Sequence, residues 1–309
     1  MGWSTLLANA TRAEMEFSLR TVDGERRPLA KSIELAAKAI LRLLIYLPST
    51  LRLVRSLPAD DFRVIQEKNA GVYLKHLRKA YACNLSVSER ATMAAYHYRL
   101  LPERLGPDFL NNSIETGVPI WSATDDPQGP RIVAKAASQY DFEAELNLQF
   151  WLGTDLLYIM SFIASPGAIW GREEPTVIVV TRVQGIRLFL KEMKTATAIS
   201  GDCGPRLLLF AALEGLAISM GVQQIIGIGV RMQIATSFGP INSPSFLENY
   251  DLFWRSLNGQ FRLDGNFNLT APSLHKSLEN VPSKHRTRAL RRRIYRDLTM
   301  RAVLRKFRK

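Results

Sequence analysis

The sequence predicts an α+β protein. It should hold a mixed, largely antiparallel sheet with one β-α-β crossover, with helices in front and a basic helical tail behind. Three observations carry this. Apolar residues recur at helical spacing over 33–57, then alternate with polar ones from about residue 131. A strand, helices and a further strand then follow one another between residues 175 and 232. Twelve Lys and Arg residues crowd the segment 284–309. With 309 residues, 47% hydrophobic and 22% charged, the chain has the composition of a folded protein and not of a disordered one.

The first residues, MGWSTLLANATRAEMEF, lack a basic start and meet Glu14 and Glu16 before any long apolar run. No signal peptide is expected there, and Leu6 breaks the myristoylation pattern. The most apolar windows are Leu35–Leu47, interrupted by Lys38 and Arg42, and Leu156–Trp170, which contains Pro166. Neither reaches the roughly 20 apolar residues a bilayer span needs. The expected location is the cytoplasm, or the inner face of the inner membrane as a peripheral protein.

Residues 33–57, IELAAKAILRLLIYLPSTLRLVRSL, read as two helices divided by Pro48. Lys38, Arg42, Arg52 and Arg55 are interleaved, so the pair faces either a core or a membrane surface. Residues 61–82 and 87–104 read as two more helices, the second capped by Ser86 or Ser88 and ended by Pro102. His97 in HYRLL is either a packed histidine or a catalytic candidate. Residues 1–58 thus form an N-terminal amphipathic region, 59–283 an α+β domain and 284–309 a basic tail.

After the turn-rich TDDPQGP the expected strands are 131–137, 141–151, 155–164 and 175–183. Gly153-Thr154 suits a type II′ hairpin turn. In DFEAELNLQF, Phe142, Ala144, Leu146, Leu148 and Phe150 alternate with Glu143, Glu145, Asn147 and Gln149. The two carboxylates should stand about 7 Å apart on one polar face. They are either a hydrated face or a pair in which one pKa is raised for general-base work.

Helices are expected at 186–198 and 205–220, and a strand at 223–232, with GIGV inside it. YDLFWRSLNGQFRLDG, 250–265, reads as a short helix and a turn into a final strand. In the tail, Leu290, Ile294 and Leu298 recur at helical spacing with basic residues on the other sides. The tail carries +11 of the net +13, leaving the preceding 283 residues at about +2. It is a solvated end, a contact for an anionic membrane, or a nucleic-acid contact. Tyr295 and Phe307 are its only aromatics, which argues against a single-strand reader.

Cys83 and Cys203 lack metal-type spacing and read as lone thiols, with a single disulfide still open. The histidines form no zinc motif, and no metal is expected. Walker A, G-x-S-x-G and G-x-G-x-x-G patterns are absent. The segment SGDCGPRLLLF leads Gly201, Gly204 and Arg206 into a helix start, where N–H groups hold phosphates. It resembles the pyrophosphate cradle of the GCN-five-related N-acetyltransferases. That resemblance implies acyl-coenzyme A as a cofactor and a fold N-acetyltransferase-like in part. Their loop follows a strand directly, whereas here a helix intervenes between Gln184-Gly185 and Gly201.

Several segments together resemble the VirK/YbjX family of bacterial proteins across roughly residues 60–300. They are His97-Tyr98 with Leu100; Glu143, Glu145, Leu146 and Leu148; Leu157-Tyr158 with Ser161-Phe162; and Val183-Gln184-Gly185. Tyr250, Asp251, Phe253 and Trp254 follow, then Asp264, Gly265 and Phe267, then Arg292, Arg293, Tyr295 and Arg296. GDCGPR and GVRMQ depart from the family's usual G-x-R-P-K and G-V-S-N-like stretches.

The resemblance implies a role at the Gram-negative envelope, in virulence, surface placement of an outer-membrane protein and resistance to antimicrobial peptides. The leading expectation is a membrane-peripheral accessory factor, with an anionic membrane and an envelope or surface protein as partners. Gln184, Tyr250, Asp251, Trp254, Arg291, Arg292 and Arg293 are its binding candidates. The enzyme alternative is an acyl-coenzyme-A-dependent N-acyltransferase using Glu143, Glu145 or His97. In that case the parallel strands should splay into an open cleft, whereas a filled cleft favours an adaptor. The third reading is a nucleic-acid-binding regulator.

Overall fold

The structure is a computed structural model that describes residues 29–56, 65, 68, 71–139, 141–186, 189–238, 244–275 and 277–308. The readings of the first 28 residues, and most of the expected helix over 61–70, lie outside these.

Eight strands form one sheet: β1 (Val118–Ser122), β2 (Pro130–Ala136), β3 (Leu146–Leu152), β4 (Asp155–Pro166), β5 (Thr176–Gly185), β6 (Gln224–Gly227), β7 (Gln260–Phe261) and β8 (Phe267–Thr270). Their order is β1-β2-β3-β4-β5-β6-β8-β7, and only β5 and β6 run parallel. The mixed, largely antiparallel α+β architecture is as expected. Gly153, left-handed at φ +57°, opens the two-residue loop that pairs Leu152 with Asp155.

The helices are α1 (Leu29–Ile45), α2 (Leu47–Ser56), the single turn α3 (Val72–Lys75), α4 (Val87–Leu105), α5 (Asp108–Glu115), α6 (Leu190–Ile199), α7 (Pro205–Ser219), α8 (Pro244–Ser256) and α9 (Arg286–Phe307). Ser86 caps α4 in a full capping box with Glu89. Pro102 does not end α4. The helix runs on to Leu105 because Leu101 and Leu105 are buried, and packing outweighs the one hydrogen bond that proline removes. Gly106, at φ +105°, ends it. The helix expected to reach residue 82 stops at Lys75, and the chain then crosses the sheet with Tyr81 left-handed at φ +65°.

Helices α4 and α7 cover one face, where Leu148, Phe150, Met160, Phe162, Val180 and Ile225 form the main core. A smaller core on the other face joins Ile163, Val177, Val179 and Ile226 to Tyr81, Leu85 and Trp170. Sequence reading missed α5 and β1. Pro119 disguises β1, and the structure places that strand at an edge, where proline is tolerated. The strand expected over 223–232 is only four residues long. Val230–Met232 turns into a 3₁₀ helix whose first N–H is capped by Asp251 Oδ1 at 3.0 Å, so GIGV leaves the sheet after Gly227.

The basic segment is a packed helix. Val303 of α9 is fully buried, and Gly215 of α7 admits it: a Cβ there would meet the Met300 carbonyl at 2.5 Å. Phe307 packs edge-on to Phe109.

Candidate functional site

The two carboxylates of the alternating run part company. β3 begins at Leu146, so residues 141–145 form a turn and the expected strand over 141–151 loses its first half. The common wet face is lost with it. Glu145 is 1% exposed and enclosed. It accepts hydrogen bonds from the Tyr81 hydroxyl and from Tyr98 Oη at 2.6 Å, and pairs with buried Lys75 at 3.2 Å. Lys75 Nζ also donates to the Ala144 carbonyl at 2.9 Å. Burial, and then the neighbouring Glu145, pushes both tyrosine hydroxyls upward in pKa. With both oxygens bonded and only 1% of the residue exposed, Glu145 presents no acceptor to a substrate.

His97 belongs to the same sealed region, its ring 5.5 Å from that of Tyr98. Its Nδ1 accepts the Ala164 N–H at 3.0 Å. Burial, and then the charge of Lys75, lowers its pKa to about 3. His76 is lowered to about 4, mainly by burial and then by Arg90. Both histidines are therefore neutral when folded and take up protons when unfolded. Their stabilisation is complete above about pH 6.5 and declines as the pH falls toward 4–3. His97→Asn, which keeps an acceptor for Ala164 N–H, should flatten the acid limb of a melting-temperature profile across pH 4–7. A limb as steep as that of the wild type would show that His97 does not titrate on unfolding.

Glu143 lies in a second cluster. Arg182 of β5 contacts Glu143 at 2.9 Å, Asp141 at 2.6 Å and Ser161 Oγ at 2.9 Å. Ser161 Oγ donates to Asn147 Oδ1 at 2.6 Å, and Asn147 Nδ2 donates to Asp141 at 3.1 Å. Burial raises the pKa of Glu143, Arg182 opposes the rise, and Asp141 adds to it. A β-bulge sits here, since Ser161 opposes Arg182 while Phe162 opposes Val180. Sequence reading passed over Arg182; the available signal was a lone cation inside an apolar strand.

The parallel pair ends where Val180 meets Gly227, while β5 continues to Gly185. Helix α8 occupies the gap beyond. Tyr250 Oη accepts the Val183 N–H at 2.5 Å, with Arg182 and Glu143 close by. Trp254 lies over Gly227 and donates to the Ile228 carbonyl at 3.1 Å. The cleft is filled. Arg206, at the start of α7, stacks over the Phe253 ring at 5.4 Å.

Gly201 backs onto the Tyr295 ring, and a Cβ there would meet it at 2.3 Å. Arg291 pairs with Asp202 at 3.2 Å, and Arg292 Nε donates to the Asp202 carbonyl at 2.7 Å. Tyr295 Oη donates to the Ile199 carbonyl at 3.2 Å. Helix α9 therefore lies against the glycine turn and touches the last residue of α6. Arg293 is half-buried, Gln184 is exposed, and Gly204 has open space around it. Cys83 and Cys203 are both free thiols.

The outward face of α9 differs from the packed one. Leu290, Ile294 and Leu298 are 46%, 49% and 53% exposed, and Arg288, Arg291, Arg301 and Arg305 are exposed around them. The adjoining α6 exposes Leu190 and Ile199 with Lys191 and Lys194. Among the described residues no helix is long and apolar enough to cross a membrane.

Sheet, filled cleft and packed C-terminal helix define a mixed α+β protein with a basic, partly apolar outer surface. Residues 29–298 match the family described as Protein of unknown function (DUF535), and the chain belongs to that family. No curated protein and no solved structure matches it.

Proposed function

We propose that the protein is a membrane-peripheral accessory factor in bacterial envelope or surface-protein biogenesis, resting on anionic lipid through the joined outer faces of α6 and α9. The carrying observation is the unpacked triplet Leu290, Ile294 and Leu298 among exposed arginines. Apolar side chains entering the interface gain about 25 cal/mol per Å² buried. Each Lys or Arg near an anionic surface adds about 1 kcal/mol. A nucleic-acid backbone has use for the arginines but none for three exposed aliphatic side chains along the helix, whereas a bilayer interface takes both. The envelope setting comes from the resemblance to the VirK/YbjX family.

The acyl-coenzyme A alternative has less support. An extended ligand between the parallel strands needs the Val183 N–H, which already donates to Tyr250, and Arg206 is engaged with Phe253.

The test is vesicle flotation of the full chain carrying Leu290→Ser, Ile294→Ser and Leu298→Ser. The wild type should float with phosphatidylglycerol vesicles and not with phosphatidylcholine alone. The triple variant should lose at least about tenfold in vesicle affinity with an unchanged melting temperature, since its positions face away from Val303. Undiminished flotation of the variant would sink the proposal.

A further inference from the structure

The far end of the sheet carries a recess distinct from these clusters. Gln224 pairs with Thr270, Ile226 with Asn268, and Asn268 with Gln260. Opposed residues, and residues two apart along a strand, share a face. Gln224, Thr270, Asn268 and Gln260 therefore project on the same side as Ile226, which lies in the smaller core. Beyond Ile226 that side opens into a cavity of about 370 Å³, within the range of about 300–1,000 Å³ usual for small-molecule sites. Arg172, which follows β4, lines it, as do Asn258 and Leu274.

The lining is rich in neutral groups that both donate and accept. A side-chain amide offers two N–H donors and two lone pairs. Gln224 uses one donor on the Leu269 carbonyl at 3.0 Å, and Asn258 uses one on the Leu274 carbonyl at 2.8 Å. Asn268 Oδ1 accepts from Arg262 at 3.3 Å. The side chains of Gln260 and Thr270 have no hydrogen-bond partner among the described residues. Much bonding capacity thus points into one small volume, beside the exposed side chain of Leu274. The complementary ligand has closely spaced hydroxyls that also donate and accept, with C–H surface between them. Arg172, held only at 3.4 Å by Glu174, adds one positive charge to the lining.

We propose that this recess binds a hexose-class sugar bearing one anionic substituent. The proposal is independent of the membrane reading.

It is tested by titrating ¹⁵N-labelled full-length protein with glucose, glucuronic acid and glucose 6-phosphate, and with acetate and inorganic phosphate as controls. The side-chain amides of Asn258, Gln260 and Asn268 should shift with all three sugars. The charged sugars should bind several-fold more tightly than glucose, and the stronger of the two identifies a carboxylate or a phosphate as the preferred substituent. Arg172→Gln should bring both to the level of glucose. Gln260→Ala combined with Asn268→Ala should weaken all three sugars at least about tenfold, with an unchanged melting temperature, by removing two hydrogen-bonding groups. The inference is overturned if no sugar shifts these amides up to tens of millimolar. It is also overturned if acetate or phosphate alone reproduces the shifts, or if the double variant binds as the wild type does.

Discussion

Glu145→Gln is expected to destabilise the protein by about 3–5 kcal/mol, the usual cost of leaving one member of a buried ion pair unpartnered. Glutamine has the shape of glutamate but only one acceptor oxygen, so it accepts from one of Tyr81 and Tyr98, which bond to different carboxylate oxygens, and loses the other. It leaves the Lys75 ammonium, which lies 3.2 Å away and is fully buried, facing a neutral group. Water does not reach the site to compensate. Thermal or urea unfolding measures the loss. Lys75→Met in the same chain should restore much of it, because removing both charges relieves the desolvation that each imposes. If Glu145→Gln melts like the wild type, the cluster is not the sealed ion pair described above. Glu143→Gln should cost much less. Its side chain is partly exposed, and Arg182 keeps Asp141 as a partner. The two glutamates, adjacent in the alternation, are thus separable by stability alone.

Val303→Asp is expected to destabilise the whole domain by more than about 4 kcal/mol, the range reached when an unpaired charge is forced into a core. Val303 is fully buried in the main core, against Gly215. A carboxylate there would be enclosed in the apolar core between α9 and α7. If α9 were a detachable tail, the variant would melt like the wild type and release only a protease-sensitive C-terminal end. A single cooperative transition at a lower temperature is the result expected of an integral helix. The same variant should lose vesicle binding, because the face bearing Leu290, Ile294 and Leu298 is displayed only while the opposite face is docked. Deleting residues 284–309 would remove Val303 from the core, which is why polar substitutions on the outer face are the cleaner test of membrane binding.

Much of the fold was legible in the sequence because its signals are local. Period two marked β2, β4 and β5, Gly153 marked the hairpin between β3 and β4, and Ser86 with Glu89 marked the start of α4. Elements whose local signal is overruled were not legible. Pro119 hid β1, and Pro102 suggested an end to α4 that core packing of Leu101 and Leu105 carries past. The four residues of β6 stop where Trp254 and Asp251, far along the chain, take over its backbone groups.

The candidate site was less legible still. Alternation showed which residues of DFEAELNLQF were polar but not what would cover them. Glu145 and Asn147 are buried because tyrosines, Lys75 and Arg182 arrive from distant segments to satisfy them. The tail is the converse case. Leu290, Ile294 and Leu298 were visible as an apolar stripe at helical spacing, yet Thr299 and Val303 turn inward and leave that stripe in solvent. By itself the sequence determined the class of fold, the order of most elements and the basic helix with its apolar triplet, since periodicity and turn chemistry act over a few residues. Only the tertiary structure decided which polar groups are sealed, which cleft is filled and which apolar face is free. Burial depends on neighbours that no local pattern names.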